Sequence, residues 1–87
     1  MFYYVYILYS FRFHKLYIGF TQDLVQRVNV HNSGKSSATK PYIPYTLIHY
    51  EAFLSKRDAL HREIYLKSGY GLRSIKKMLR FWFEEKV

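Results

Sequence analysis

The stretch between residues 4 and 31 decides the fold, since it reads YVYILY over residues 4–9, YIGFT over residues 17–21 and LVQRVNVH over residues 24–31. Its first two segments are rich in β-branched and aromatic residues, which favours strands. The short polar connection between them predicts an antiparallel hairpin. In the third segment Leu24, Val28 and His31 recur at the spacing of one helical face. The stretch therefore predicts a β-hairpin followed by a helix.

Both ends of this first helix carry recognisable signals. Thr21 offers a hydroxyl for the N-cap, and Asn32 is followed by the sequence Ser-Gly, a common helix stop. A basic, hydroxyl-rich loop then runs from Gly34 to Pro44. Loops of about eleven residues approach the length at which they are often functional.

A third strand and two further helices are predicted downstream. Residues 45–53 return to strand composition, and Ser55 and Asp58 have the spacing of a capping box that opens a helix. A last helix begins near Gly71 and has apolar residues at helical spacing through Trp82. The resulting order, ββαβαα, predicts an α+β fold in which helices pack on a small antiparallel sheet.

Composition limits the class of protein. A chain of 87 residues is expected to form a single domain over residues 1–87. It contains no cysteine, so we expect no disulfide partner, and its longest apolar run is far shorter than the ~20 residues that span a bilayer. These features predict a cytoplasmic protein with no membrane partner. The net charge of +8 favours a polyanionic partner, and nucleic acid in particular.

Two common kinds of catalytic site are excluded by spacing. The four histidines are scattered, and no pair has the separation of a helical zinc motif. The sequence Gly-Lys-Ser at residues 34–36 resembles the end of a phosphate-binding loop, but it lacks the upstream glycine and the preceding strand. We therefore do not expect nucleotide hydrolysis.

Five residues are candidates for chemistry at one site. Tyr6 and Tyr17 lie on the two strands of the predicted hairpin, and Arg27 and His31 lie one turn apart on the following helix. An arginine suits phosphate, and a nearby cation favours the phenolate of a tyrosine. Glu63 is a carboxylate on an otherwise apolar helix face, and such a hard oxygen ligand suits Mg²⁺.

These residues also have simpler interpretations. His31 lies in the last turn of its helix, where an imidazolium would interact favourably with the helix dipole. Glu63 has Lys67 four residues later, so the two side chains could form an ordinary helix ion pair.

The motifs resemble those of the GIY-YIG nuclease superfamily, and more narrowly its small stand-alone bacterial proteins. The sequence Tyr-Val-Tyr at residues 4–6, followed by Tyr-Ile-Gly at residues 17–19, is similar to the two-part motif of the superfamily. Arg27, His31 and Glu63 match its further catalytic positions. Tyr4 stands where the first motif has glycine, and no asparagine follows Asn32.

The resemblance implies a three-stranded antiparallel sheet flanked by helices, and hydrolysis of DNA phosphodiester bonds with Mg²⁺ or Mn²⁺ as cofactor. One tyrosine would help to activate water, Arg27 would stabilise charge on the phosphate, Glu63 would hold the metal ion and His31 would orient groups or relay a proton. The choice between Tyr6 and Tyr17 is left open.

DNA is thus the expected partner. The candidate phosphate contacts are exposed basic residues, namely Lys35, Lys40, Arg73, Lys76 and Lys77. The alternative is a non-catalytic nucleic-acid-binding module on the same fold, which would use the basic loop and stacking tyrosines. A protein-interaction module is a third alternative, and an unidentified protein partner that supplies targeting is also left open.

Overall fold

The computed structural model describes residues 1–87 and contains three strands and four α-helices. The elements are β1 Tyr3–Ser10, β2 Lys15–Thr21, α1 Leu24–Asn32, β3 Thr46–Phe53, α2 Lys56–Lys67, α3 Gly69–Met78 and α4 Arg80–Lys86. A short 3₁₀ turn, Lys40–Tyr42, lies in the loop between α1 and β3. The α+β class is confirmed, and so is the predicted ββαβαα order, in which the last predicted helix corresponds to α3 and α4 together. No helix combines the length and the apolar character that crossing a membrane requires.

The strands form one antiparallel sheet in the order β2-β1-β3, so β1 is central. In the register of the hairpin Tyr6 pairs with Gly19, and Ile7 pairs with Ile18. Every residue of β1 from Val5 to Ser10 is buried. Such continuous burial occurs when both faces of a strand are covered, which is why its sequence is almost entirely apolar.

The two faces of the sheet carry separate apolar clusters. One face packs Val5, Ile7 and Ile18 against residues of α2 and α3. The other face carries Tyr6 and Leu8, which pack with residues of α1 and of the loop before β3. Because side chains alternate along a strand, β1 supplies both clusters. The sheet therefore separates an α1 layer from an α2–α3 layer.

The first helix begins later than predicted, because Asp23 and not Thr21 is its N-cap. The Asp23 carboxylate accepts from the backbone N–H of Gln26 at 3.2 Å, and its backbone is extended. Thr21 is still in β2, paired with Tyr4, and its hydroxyl accepts from the backbone N–H of Asp23 at 3.1 Å. The Thr21 hydroxyl therefore organises the turn that precedes the helix.

The single last helix of the prediction is two helices, α3 and α4. The break is at Leu79, whose φ of −109° and ψ of 27° lie outside helical geometry. Beyond the break, the rings of Trp82 and Phe83 pack against Tyr9 with centroid distances of 5.6 and 5.8 Å. The change of direction brings α4 into contact with Tyr9 of β1. The spacing of apolar residues along a helix does not predict this tertiary contact.

Candidate active site

A hydrogen bond between Tyr6 and His31 lies at the centre of the α1 layer. The Tyr6 hydroxyl is 2.8 Å from His31 Nε2. The two residues are 1% and 0% exposed. β1 supplies Tyr6 and the last turn of α1 supplies His31, which lies on the same helix face as Leu24 and Val28, as predicted. A buried polar pair of this kind is stable only when its hydrogen bonds are made.

The absence of a side chain at Gly19 leaves the space in which the Tyr6 ring crosses β2. A Cβ at this position would overlap the hydroxyl oxygen and ring carbons of Tyr6. The phenol therefore passes directly over the glycine, which is its register partner on the neighbouring strand. The last residue of the Tyr-Ile-Gly motif is thus a packing requirement, because any side chain at position 19 displaces the Tyr6 ring.

Tyr17 and Arg27 complete the surroundings of this hydrogen bond. The Tyr17 ring lies 4.7 Å from the His31 ring and 6.3 Å from the Tyr6 ring, measured between centroids. Arg27 is half-buried one turn before His31, and its interaction with the Tyr6 phenol is the main reason that the pKa of Arg27 is raised. The structure brings Tyr6, Tyr17, Arg27 and His31 together.

Burial keeps both partners of the central hydrogen bond uncharged. Loss of solvent raises the pKa of Tyr6 to about 12, and this effect outweighs the interaction with Arg27, which acts in the opposite direction. Arg27 thus lowers the pKa of Tyr6, as a nearby cation is expected to do, but burial raises it by more and the phenol stays protonated. Burial, assisted by the charge of Arg27, lowers the pKa of His31, so its imidazole is neutral at pH 7.

Glu63 lies on α2 in the opposite layer, but its charge acts on the same site. Its side chain is 17% exposed, and Oε2 is 2.9 Å from Lys67 Nζ, so the helix ion pair is present. The carboxylate also contributes to the raised pKa of Tyr6. No group of three His, Cys, Asp or Glu residues forms a ready cage for a metal. A single carboxylate still fits Mg²⁺, which typically keeps several waters and binds one or two carboxylates together with substrate phosphate.

The five candidate phosphate contacts fall into two groups. Lys35 and Lys40 are exposed on the loop that covers the α1 layer. Arg73, Lys76 and Lys77 are exposed on α3, which packs on the other face of the sheet through Ile75. The structure thus places only the two loop lysines in the same layer as Tyr6 and His31.

The surface depressions of the molecule lie elsewhere. Two shallow clefts, of about 510 and 440 Å³, follow α2 and its junction with β3. None of their lining residues belongs to the candidate site. Neither cleft therefore opens onto Tyr6 or His31.

Two residues of the site have no assigned role in the sequence prediction. Thr39 is fully buried, and its hydroxyl oxygen is 2.8 Å from His31 Nδ1. Asn32 joins the two ends of the loop between α1 and β3. Its side chain donates to the carbonyl of Tyr45 at 2.9 Å and accepts from the backbone N–H of Tyr45 at 2.7 Å. The hydroxyl-rich composition of the loop is the signal that points towards Thr39, whereas nothing local points towards the contacts of Asn32.

Comparison with known proteins shows the family. Residues 2–77 match the family described as the GIY-YIG catalytic domain. The chain belongs to the GIY-YIG family. This match confirms the resemblance seen in the Tyr-Val-Tyr and Tyr-Ile-Gly motifs.

Its relatives include small bacterial proteins. The UPF0213 protein YazA of Bacillus subtilis is 39% identical over 71 residues, which are 80% of this chain and 67% of that protein. A UPF0213 protein of Streptococcus agalactiae is 42% identical over 53 residues. These residues are 60% of this GIY-YIG chain and 60% of the length of that relative.

A solved structure shares the fold. The solution NMR structure of a UPF0213 protein from Bacillus halodurans is 32% identical in sequence and has a TM-score of 0.56. The match covers 90% of this GIY-YIG chain and 85% of that chain.

Proposed function

We propose that this GIY-YIG domain is a metal-dependent endonuclease that hydrolyses DNA phosphodiester bonds. The observation that carries the proposal is the buried hydrogen bond between Tyr6 and His31, 2.8 Å long, with the Arg27 guanidinium beside it. A proton acceptor next to a phosphate-binding cation is the combination that water attack on phosphorus needs.

Tyr6, rather than Tyr17, is the tyrosine that takes the proton from water. Tyr6 is hydrogen-bonded to His31, so as it receives one proton it passes its own to Nε2. This relay suits a phenol that burial keeps protonated, because no free phenolate has to form beforehand. The Tyr17 ring packs against His31 with its plane tilted by 57°, and this contact holds the imidazole ring in place.

Arg27 and Glu63 act on the phosphate and on the metal ion. The planar guanidinium of Arg27 donates to the non-bridging oxygens and stabilises the charge that builds up on them. Glu63 exchanges its ion pair with Lys67 for Mg²⁺ or Mn²⁺. When bound, the ion supplies Lewis-acid stabilisation of the leaving oxygen.

A plasmid-nicking experiment tests the proposal. The purified chain is incubated with supercoiled DNA in Mg²⁺, in Mn²⁺ and in EDTA, and nicked product is expected only with a metal. Glu63→Gln should abolish cleavage while it retains much of the DNA affinity. Glu84→Gln is the matched control, since Glu84 is an exposed carboxylate on α4. Absence of cleavage with every metal and substrate by the folded wild-type protein would contradict the proposal.

The ion pair between Glu63 and Lys67 favours a second candidate function. If Glu63 only forms this ion pair within α2, it does not bind a metal ion. The protein would then be a non-catalytic module that binds nucleic acid through its basic loop. Under this alternative the wild-type protein and Glu63→Gln bind DNA equally and neither nicks it. The same experiment therefore separates the two functions.

A further inference from the structure

The second nitrogen of His31 is held by a buried threonine. Thr39 lies in the loop between α1 and β3, directly before the 3₁₀ turn, and its side chain is fully buried. Its hydroxyl oxygen is 2.8 Å from His31 Nδ1, on the side of the ring away from Tyr6. The imidazole is therefore hydrogen-bonded at both nitrogens, and its single proton must be on one of them.

The Thr39 side of the ring indicates which nitrogen carries the proton. The Thr39 hydroxyl can donate to the carbonyl oxygen of Ser36, at 3.4 Å. A hydroxyl has one proton, so when it donates to Ser36 its oxygen is free to accept from His31. This arrangement places the proton on Nδ1.

The Tyr6 side of the ring gives the same result independently. His31 Nε2 is the only hydrogen-bond partner of the Tyr6 hydroxyl within the protein, and Tyr6 is buried. A buried hydroxyl proton needs an acceptor, so Nε2 accepts the proton of Tyr6. Nε2 must then be unprotonated, which again leaves the proton on Nδ1. Both ends of the chain of hydrogen bonds are satisfied by one tautomer.

We propose that Thr39 is a positioning residue that fixes the Nδ1–H tautomer of His31 and so keeps Nε2 open to receive the proton of Tyr6. This inference rests on the proposed function. As the oxygen of water forms its bond to phosphorus, a water proton passes to the Tyr6 oxygen and the Tyr6 proton passes to Nε2. The bond from phosphorus to the leaving oxygen breaks, and that oxygen takes a proton from solvent. The opposite tautomer has a proton on Nε2 and cannot complete the relay.

Nitrogen NMR of the protein labelled with ¹⁵N-histidine tests the tautomer without DNA or metal. In the wild-type protein at neutral pH we expect His31 to show a protonated Nδ1 and an unprotonated Nε2. Thr39→Val keeps the shape of the side chain but removes the oxygen, so it should shift the population towards Nε2–H. Thr39→Ser retains the hydroxyl and should restore the wild-type signals. Thr46→Val, the same change at an exposed strand position, should leave them unchanged.

Cleavage kinetics test the consequence. Thr39→Val should lower kcat by about 10- to 100-fold with little change in KM, and Thr39→Ser should recover most of the loss. Three results would overturn the proposal: an Nε2–H tautomer in the wild-type protein, an unchanged tautomer in Thr39→Val, or an unchanged kcat in a folded Thr39→Val.

Failure of the Thr39 proposal can be distinguished from failure of the nuclease proposal. If the wild-type protein does not cleave DNA, the nuclease proposal fails and the role of Thr39 in a relay fails with it, while the NMR result still decides the tautomer. If Thr39→Val does not fold, the wild-type and Thr39→Ser spectra decide it, because both must show the Nδ1–H form.

Discussion

At the scale of single residues, burial decides what Tyr6 can do. Arg27 lies beside the phenol and would favour its ionised form, yet loss of solvent dominates and the pKa of Tyr6 rises. A buried, protonated tyrosine can take a proton from water only if a neighbouring group accepts its own proton. His31 provides that acceptor, and burial keeps the imidazole neutral and therefore able to accept.

Gly19→Ala is expected to displace Tyr6. The new methyl group would overlap the Tyr6 phenol, so the ring must move away from His31. We expect a loss of about 1–3 kcal/mol in the free energy of unfolding, measured in urea, together with loss of DNA cleavage. Gly69→Ala is the matched control, because a Cβ there meets no atom within 4 Å. Equal activity of Gly19→Ala and the wild-type protein would contradict the placement of Tyr6.

The lowered pKa of His31 predicts the pH dependence of stability. His31 faces Tyr6 and Tyr17 of the sheet, Arg27 of its own helix and Thr39 of the loop. Because its folded pKa is below the unfolded value of about 6.5, the unfolded chain binds the proton more readily. The contribution is fully present above pH 6.5 and is lost as the pH falls through the folded pKa.

This loss is measurable by urea unfolding at a series of pH values. The single proton of His31 gives a slope of at most about 1.4 kcal/mol per pH unit in that window. His31→Gln should remove this part of the slope, whereas His61→Gln, at an exposed position, should retain it. Cleavage should also decline at acidic pH, since a protonated His31 cannot accept the proton of Tyr6. A slope that is identical in all three proteins would be evidence against a buried neutral His31.

At the scale of elements, the loop between α1 and β3 is part of the site. The side chain of Asn32 makes two hydrogen bonds to the backbone of Tyr45, and these join the end of α1 to the start of β3. The closed loop carries Thr39 into contact with His31. Local order in the loop and the geometry of the imidazole are therefore coupled.

Asn32→Asp is expected to loosen this loop. The carboxylate keeps the acceptor for the Tyr45 N–H but cannot donate to the Tyr45 carbonyl, which leaves that oxygen unpaired. We expect a loss of about 1–3 kcal/mol in stability and faster hydrogen exchange at the loop amides, measured by NMR. Asn29→Asp introduces the same charge at an exposed position of α1 and should behave like the wild-type protein. Unchanged exchange in Asn32→Asp would show that the loop is held by other contacts.

At the scale of the whole molecule, the central strand joins two layers with different tasks. One face of β1 packs against α2 and α3 and supplies most of the apolar core, while the other face carries Tyr6 to α1. Glu63 lies on α2 in the first layer, but its negative charge helps to raise the pKa of Tyr6 in the second layer. The proposed metal ligand and the proposed proton relay therefore depend on how the layers are held together.

Contacts that depend on the regular spacing of residues along a strand or a helix could be predicted from the sequence. The spacing of hairpin strands places Tyr6 near Tyr17, and helical periodicity places Arg27 beside His31. Thr39 could not be placed in the same way, because its contact with His31 depends on how an irregular loop folds back. The break at Leu79 is likewise set by packing of α4 on the sheet, and a continuous apolar stripe gives no sign of it.

The most direct test of the central claim compares wild-type protein with Tyr6→Phe in a single-turnover DNA cleavage assay with Mg²⁺. Removal of one hydroxyl breaks the relay to His31, so the rate should fall by about 10²- to 10⁴-fold. Tyr50→Phe, at an exposed position of β3, should cleave at the wild-type rate. Cleavage by folded Tyr6→Phe at the wild-type rate would contradict the account.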